Sequence, residues 1–170
     1  MNVLMITQKV DEADWLVGFA HGWVRALARR VQWLDVICLE GSASGLPGNV
    51  RVMPLGSGRI VRLRNFHRYA MEAVPRADVI FSHLSPLYTL LATPYALAWS
   101  KPIATWYTHR HVSHALRLAA ALSARVLTAS PESLQLRTAR AVVLGHGIDT
   151  EVFAPSTPLG VGEIILAVGR

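Results

Sequence analysis

The sequence predicts a doubly wound α/β fold, a mostly parallel sheet of about seven strands with helices on both faces. Three observations carry this. Short runs such as Asn2–Thr7 (NVLMIT) and Leu34–Leu39 (LDVICL) are apolar nearly throughout, the pattern of strands buried on both faces. These runs alternate with stretches of helical period, which argues for parallel strands joined by crossover helices. Seven such strands fit within residues 1–144. Right-handed crossovers leave few topologies, of which the open doubly wound sheet is the simplest. Ligands of such sheets bind beyond the carboxyl ends of the strands. That rule selects the loops after Thr7, Leu55, Ser82, Tyr107, Ala129 and Leu144.

After the first strand, Trp15–Val31 takes up a helical period, with Leu16, Ala20, Trp23, Leu27 and Val31 on one face and His21, Arg25 and Arg29 on the other. Leu34–Leu39 is the second strand, closed by the Gly- and Ser-rich stretch Gly41–Gly48. Val50–Leu55 is the third, and its Pro54 suggests a sheet margin or a strand end. A helix is expected over Val61–Ala73, with Leu63, Phe66 and Ala70 inward and Arg64 and Arg68 outward. Asp78–Ser82 is the fourth strand. Ser85-Pro86 reads as an N-cap and first helical residue, opening a helix that runs toward Pro94. A strand at Ile103–Tyr107, a helix at Val112–Ser123 and a strand at Arg125–Ala129 come next. Ser130-Pro131-Glu132 opens a further helix, and Ala141–Leu144 is the seventh strand. The turn-rich residues 145–162 read as an interdomain linker. Glu163–Val168 (EIILAV) is another buried-type strand, so residues 163–170 read as the first strand of a second, truncated domain.

Composition narrows the class. With 170 residues, 52% hydrophobic, the chain is neither disordered nor, with a single Cys38, a disulfide scaffold. Cys38 lies in an apolar run and reads as a small buried hydrophobe, which fits a reducing, cytoplasmic setting. The net charge of +6 comes from 15 Arg against 2 Lys and favours anionic partners such as phosphates, nucleotides or acidic lipid. The arginines are dispersed, with no aromatic-basic stripe of the kind that binds nucleic acid. Val79–Ser100 has no Asp, Glu, Lys or Arg, but Pro86 and Pro94 break any single membrane-spanning helix through it.

Several motifs are excluded. Gly56-Ser57-Gly58 begins like a dinucleotide fingerprint, but it comes after the third strand and position 61 is Val. There is no Walker-type Gly-Lys-Ser/Thr, no Gly-x-Ser-x-Gly and no Asp-x-Asp, and a lone Cys forms no cysteine zinc site. Histidine is the informative residue type. His109, His111 and His114 come just after the fifth strand, His83 ends the fourth and His146 lies past the seventh, so five of seven histidines gather at one rim. His83 and His109 are read as functional, His109 as a hydrogen-bond donor or proton carrier at neutral pH. His111 and His114 suit polar loop residues equally well, and a metal site is disfavoured by the lack of carboxylates beside them. Trp106 and Tyr107 form either a wall for a sugar ring or core packing, with Trp106 assigned to the core.

Val142–Pro155 (VVLGHGIDTEVFAP) and Glu163–Arg170 (EIILAVGR) resemble the interdomain junction of glycosyltransferase family 4, retaining enzymes of the GT-B fold, whose N-terminal domain is Rossmann-like. Trp106–Ser133 and the opening strand, loop and helix are similar to the same domain. The resemblance implies transfer of a sugar from a nucleotide-sugar donor to an acceptor (sugar, lipid-linked or small molecule), with retention, no cofactor and no metal. It makes this chain the acceptor-side half, inactive alone. It places Gly18 at the loop–helix junction where donor or acceptor approaches, although the family's adjacent Gly pair is here Gly18-Phe19. It matches His109 to a histidine contacting the transferred sugar and Arg170 to an arginine pairing with the donor diphosphate. His83, Ser130 and Glu132 join Gly18 and Arg170 as donor- or acceptor-side candidates. The basic segment Arg59, Arg62, Arg64 and Arg68 leaves open a peripheral contact with anionic membrane, with Leu63 and Phe66 assigned to the core. A terminal buried strand leaves open a dimer through that end. The alternative is a stand-alone, non-catalytic Rossmann-like module binding an anion or partner. A nucleotide-dependent epimerase is disfavoured by the missing Gly-x-Gly-x-x-Gly after the first strand.

Overall fold

The computed structural model of the chain describes residues 1–14 and 18–147. The expected strand at 163–170, the linker beyond residue 147, Leu16 and Arg170 lie outside the described residues. Seven strands form one sheet: β1 (Asn2–Val10), β2 (Trp33–Gly41), β3 (Val50–Pro54), β4 (Val79–His83), β5 (Ile103–Trp106), β6 (Arg125–Thr128) and β7 (Ala141–Val143). Their order is β3-β2-β1-β4-β5-β6-β7, and every pairing is parallel. The chain therefore winds outward from β1 to β3, crosses back, and winds outward again from β4. All carboxyl ends lie along one edge. Pro54 sits on the edge strand β3, where a missing amide costs no ladder bond.

Four α-helices cover the sheet: α1 (Phe19–Ala28), α2 (Arg59–Ala73), α3 (Pro86–Ala98) and α4 (His114–Leu122). Alternate residues of β1 divide the core between the two faces, as the period-two geometry of a strand demands. Val3 and Met5 pack with Val24 and Ala28 of α1, Val36 and Phe81. Leu4 and Ile6 pack with Phe66 and Ala70 of α2, Tyr88 and Ala92 of α3, Ile80 and Ile103. A buried hydroxyl chain ties α4 to the second face. Thr105 of β5 is 2.7 Å from both Thr89 of α3 and Ser123, and Ser123 donates to the Ala119 carbonyl at 2.7 Å.

Local chemistry sets the helix ends. Ser113 caps α4, its hydroxyl accepting from the Leu116 amide at 3.1 Å. Ser85 and Pro86 open α3 as expected, and the helix runs through Pro94 to Ala98. Three expectations are corrected. The Ser130-Pro131-Glu132 helix is a single 3-10 turn, Pro131–Ser133, after which the chain runs without further helix to β7. The buried stripe of α1 is Ala20, Val24 and Ala28, whose small side chains let the helix approach the sheet. This rotates His21 inward, to 2% exposure, with Nε2 3.0 Å from the Ser44 carbonyl oxygen. Leu63 is not core but 65% exposed, because α2 buries Phe66, Ala70 and Ala73 and none of its residues before Phe66.

No helix among the described residues is long and apolar enough to cross a membrane.

Candidate functional site at the carboxyl rim

The parallel sheet brings β1, β4 and β5 side by side toward the carboxyl edge, and the site grows from Thr7 of β1, His83 of β4 and Trp106 of β5. Thr7 and His83 come directly after the paired residues Ile6 and Ser82, so their side chains meet across the β1–β4 seam, with Oγ1 2.9 Å from Nδ1. His83 is fully buried. Desolvation pushes its imidazole down to about 4, so the ring is neutral at ordinary pH. Its Nε2 has no hydrogen-bond partner among the described residues.

The cause of that burial is a shell of aromatic rings. Trp23 of α1 lies 5.0 Å from the His83 ring, Phe81 of the same strand 5.8 Å, and Phe19 approaches edge-on at 6.1 Å. Trp23 also stacks on Phe81 at 6.1 Å and meets Trp106 of β5 at 4.8 Å, while Trp106 meets His146 edge-on at 6.2 Å. Trp106 is 3% exposed, as its assignment to the core requires. Phe19 is 50% exposed and His146 is exposed, so both ends of the cluster reach solvent.

The other expected site residues spread along the rim. His109 is exposed beyond β5, its ring edge-on to Tyr107 at 5.4 Å. Tyr107 is itself fixed by a 2.6 Å hydrogen bond from its hydroxyl to the His111 carbonyl. His83 and His109 thus occupy neighbouring strand ends without a ring contact or hydrogen bond between them. His111 and His114 are exposed. Ser130 caps the 3-10 turn after β6, accepting from the Ser133 amide at 3.3 Å. Glu132 is exposed, its carboxyl held below the usual range by its own backbone amide first and the Ser130 hydroxyl second.

Gly18 is the N-cap of α1, its amide donating to the Asp14 carbonyl at 2.8 Å. A Cβ there would stand 2.3 Å from that carbonyl oxygen, so the absence of a side chain is demanded by the chain itself. The loop before it is clipped by Lys9, which contacts Asp14 at 2.7 Å and Asp11 at 3.2 Å. No three His, Cys, Asp or Glu among the described residues are grouped as a metal site.

Thr7, Phe19 and Trp23 were not singled out from the sequence as site residues. The available signals were the i, i+4 spacing of Phe19 and Trp23 and the Phe81-Ser82-His83 alternation, which sends Phe81 and His83 to the same face.

Two of the hollows among the described residues flank the sheet. One of about 420 Å³ opens at the amino edge near Lys101, Arg125 and Arg140. That edge receives the carboxyl ends of α3 and α4, whose dipoles oppose an anion, and Arg140 already donates to the Ala120 and Ala121 carbonyls there. The other, of about 390 Å³, lies at the carboxyl rim between α2 and α3 over the ends of β1 and β2, and Thr7 forms part of its lining. The second is in the position that the doubly wound fold reserves for ligands.

No protein-family model and no curated protein matches the sequence. Solved structures do share the fold. HepE of Anabaena in complex with UDP and glucose superposes with a TM-score of 0.64 at 16% identity, over 90% of this chain and 46% of that one. MurG of Acinetobacter baumannii gives 0.55 at 11% identity, over 83% of this chain and 44% of that one. The UDP-GlcNAc 2-epimerase of Methanocaldococcus jannaschii gives 0.53 at 12% identity, over 78% and 40%. These neighbours are GT-B glycosyltransferase-like folds, and the seven-stranded sheet matches their N-terminal half. The chain spans less than half the length of each.

Proposed function

We propose that this chain is the acceptor-side half of a retaining glycosyltransferase of the family 4 type, acting on a nucleotide-sugar donor without a metal. The observation that carries the reading is the position of the His83–Trp23–Trp106 cluster and of His109, on adjacent strand ends of a sheet that matches half of a UDP-binding chain. The junction motif Val142–Pro155 supports it from the sequence side.

In this reading the solvent-facing ends of the aromatic cluster, Phe19 and His146, offer a surface on which a sugar ring rests, and His109 reaches into solvent where a sugar hydroxyl can be met. The unpartnered Nε2 of His83 leaves a buried polar atom unsatisfied beneath this surface, a state that costs on the order of 1–3 kcal/mol. Ser130 and Glu132 would stand on the acceptor side. Arg170 would meet the donor diphosphate, where a fixed guanidinium fork stabilises charge on the departing phosphate without a metal. A cytoplasmic setting goes with this role.

The epimerase neighbour makes the fold alone an insufficient guide to the reaction, so the test reads the product. The chain completed with a second lobe is incubated with a panel of nucleotide sugars and acceptors, in the presence of EDTA. The expected result is release of nucleoside diphosphate coupled to a glycoside of retained anomeric configuration by NMR, lowered at least tenfold in His109→Ala. The 170-residue chain alone should give none. Turnover by the chain alone, inversion, or isomerised free sugar in place of a glycoside overturns the proposal.

A further inference from the structure

The groove between α2 and α3 is apolar where it is deep and cationic where it opens. Ile6, Ile37, Leu55 and Phe66 form its depths, and Leu63 and Leu87 stand at its mouth, 65% and 54% exposed. Arg59 and Arg62 also line it. Neither has a carboxylate partner among the described residues, and Arg62 is steadied by a 2.9 Å bond from Nε to the Gly56 carbonyl. Between them Ile60 is 84% exposed, and no acidic residue occupies the first turn of α2. Leu63 and two arginines of α2, with Leu87 of α3, face the same opening, an arrangement suited to a ligand with both characters.

From this juxtaposition we infer that the α2–α3 groove binds an amphiphile consisting of one aliphatic chain and a phosphate head, the chain lying against Leu63, Phe66 and Leu87 and the phosphate between Arg59 and Arg62. The volume of about 390 Å³ lies within the range of small-molecule sites, roughly 300–1,000 Å³. Charge complementarity selects the head. Two arginines without carboxylate partners at the uncapped positive end of a 15-residue helix favour an anion, and a guanidinium fork matches phosphate oxygens. The apolar depths select the chain, since burying methylenes is favourable in proportion to the apolar area removed from water. Thr7 joins this groove to the rim, because it lines the groove while its hydroxyl holds His83. The inference deepens the functional reading by naming the acceptor class, a lipid phosphate.

The test is direct binding to the chain by calorimetry, with decyl phosphate below its micelle concentration, 1-decanol and inorganic phosphate as three separate ligands. Decyl phosphate should bind at least tenfold more tightly than either of the others, and the advantage over decanol should shrink as salt is raised. Leu63→Asp and Arg62→Ala, both at positions open to solvent, should each weaken decyl phosphate at least tenfold, with unchanged circular dichroism. Equal binding of decanol and decyl phosphate, no binding of decyl phosphate, or binding only to anionic vesicles that survives Leu63→Asp overturns the inference. The measurement needs no sugar transfer. A completed protein that transfers no sugar while decyl phosphate still binds the groove would end the glycosyltransferase reading and leave the site standing.

Discussion

Thr7 Oγ1 and His83 Nδ1 stand 2.9 Å apart across the seam of β1 and β4, a polar contact beside a shell of aromatic rings. Register produces it. Ile6 pairs with Ser82, so the next residue of each strand meets its neighbour where the β1–β4 pairing ends, while β1 stays paired with β2 and β4 with β5. The contact fixes the ring, and burial fixes its charge.

That burial has a pH signature. The folded ring titrates at about 4 against 6.5 for the free side chain, so between these values the unfolded chain binds a proton that the folded chain refuses. Stability from this group is complete above about pH 6.5 and declines as the pH falls toward 4, by ~3 kcal/mol in all. Urea denaturation between pH 4 and 7.5 should show that decline, and His83→Gln should remove most of it while lowering stability at pH 7. A wild-type profile flat through this range would show that the ring is not held neutral.

Cys38 provides a second reading of burial. It lies fully inside β2, and loss of solvation, with the Glu40 charge second, pushes its thiol up to about 12. The folded chain should therefore leave Ellman's reagent unreacted over hours at pH 8, and one thiol per chain should appear on adding guanidinium. Rapid reaction of the folded chain would place Cys38 at the surface.

The sheet is legible in the sequence because its strands are short, apolar and separated by helical period, which places all seven to within a few residues. The rim histidines are legible for the same reason, since a parallel sheet sends every strand end to one edge. The features that escape depend on distance across the fold. The inward turn of His21 is set by Ala20 and Ala28, whose size lets α1 settle close to the sheet, and by a carbonyl 23 residues away. Leu63 keeps the helical spacing of a core residue, yet it is exposed because α2 becomes buried only from Phe66 onward, a fact of relative placement that periodicity does not contain. The 3-10 turn at Pro131 bears the same Ser-Pro-Glu opening as a longer helix would, and the difference lies in the residues after Ser133, which do not continue the helix.

At the opposite edge of the sheet, Asp35 is the centre of an ion network. Its side chain is 5% exposed, accepts from Arg51 Nε at 2.8 Å and from Trp33 Nε1 at 3.0 Å, and lies 3.7 Å from Arg76. Arg51 continues to Glu72 at 2.5 Å, which ties β3 to α2 and holds the Glu72 carboxyl below its usual range. Asp35→Ala strands a partly buried guanidinium and an indole donor and should cost about 2–3 kcal/mol in chemical denaturation. Glu72→Ala, at an exposed carboxylate, should cost under about 1 kcal/mol. Equal losses would mean that the network acts through surface charge alone.

Gly18 and Gly22, one turn apart at the start of α1, should respond to the same substitution with opposite signs. At Gly18 an added Cβ would lie 2.3 Å from the Asp14 carbonyl oxygen and 3.2 Å from that of Glu12, both main-chain atoms of a loop clipped by Lys9. The loop must shift, so Gly18→Ala should destabilise by about 1–3 kcal/mol. At Gly22 nothing lies within 4 Å of the added carbon, and the residue sits inside a helix, where alanine is favoured over glycine by about 0.8–1.0 kcal/mol. Gly22→Ala should therefore raise the urea midpoint while Gly18→Ala lowers it. Because Gly18 also borders the rim, its variant should disturb near-ultraviolet circular dichroism from Trp23, whereas the Gly22 variant should not. A neutral Gly18→Ala would mean that the loop yields freely, and the close approach of Asp14 would then have no bearing on how α1 begins.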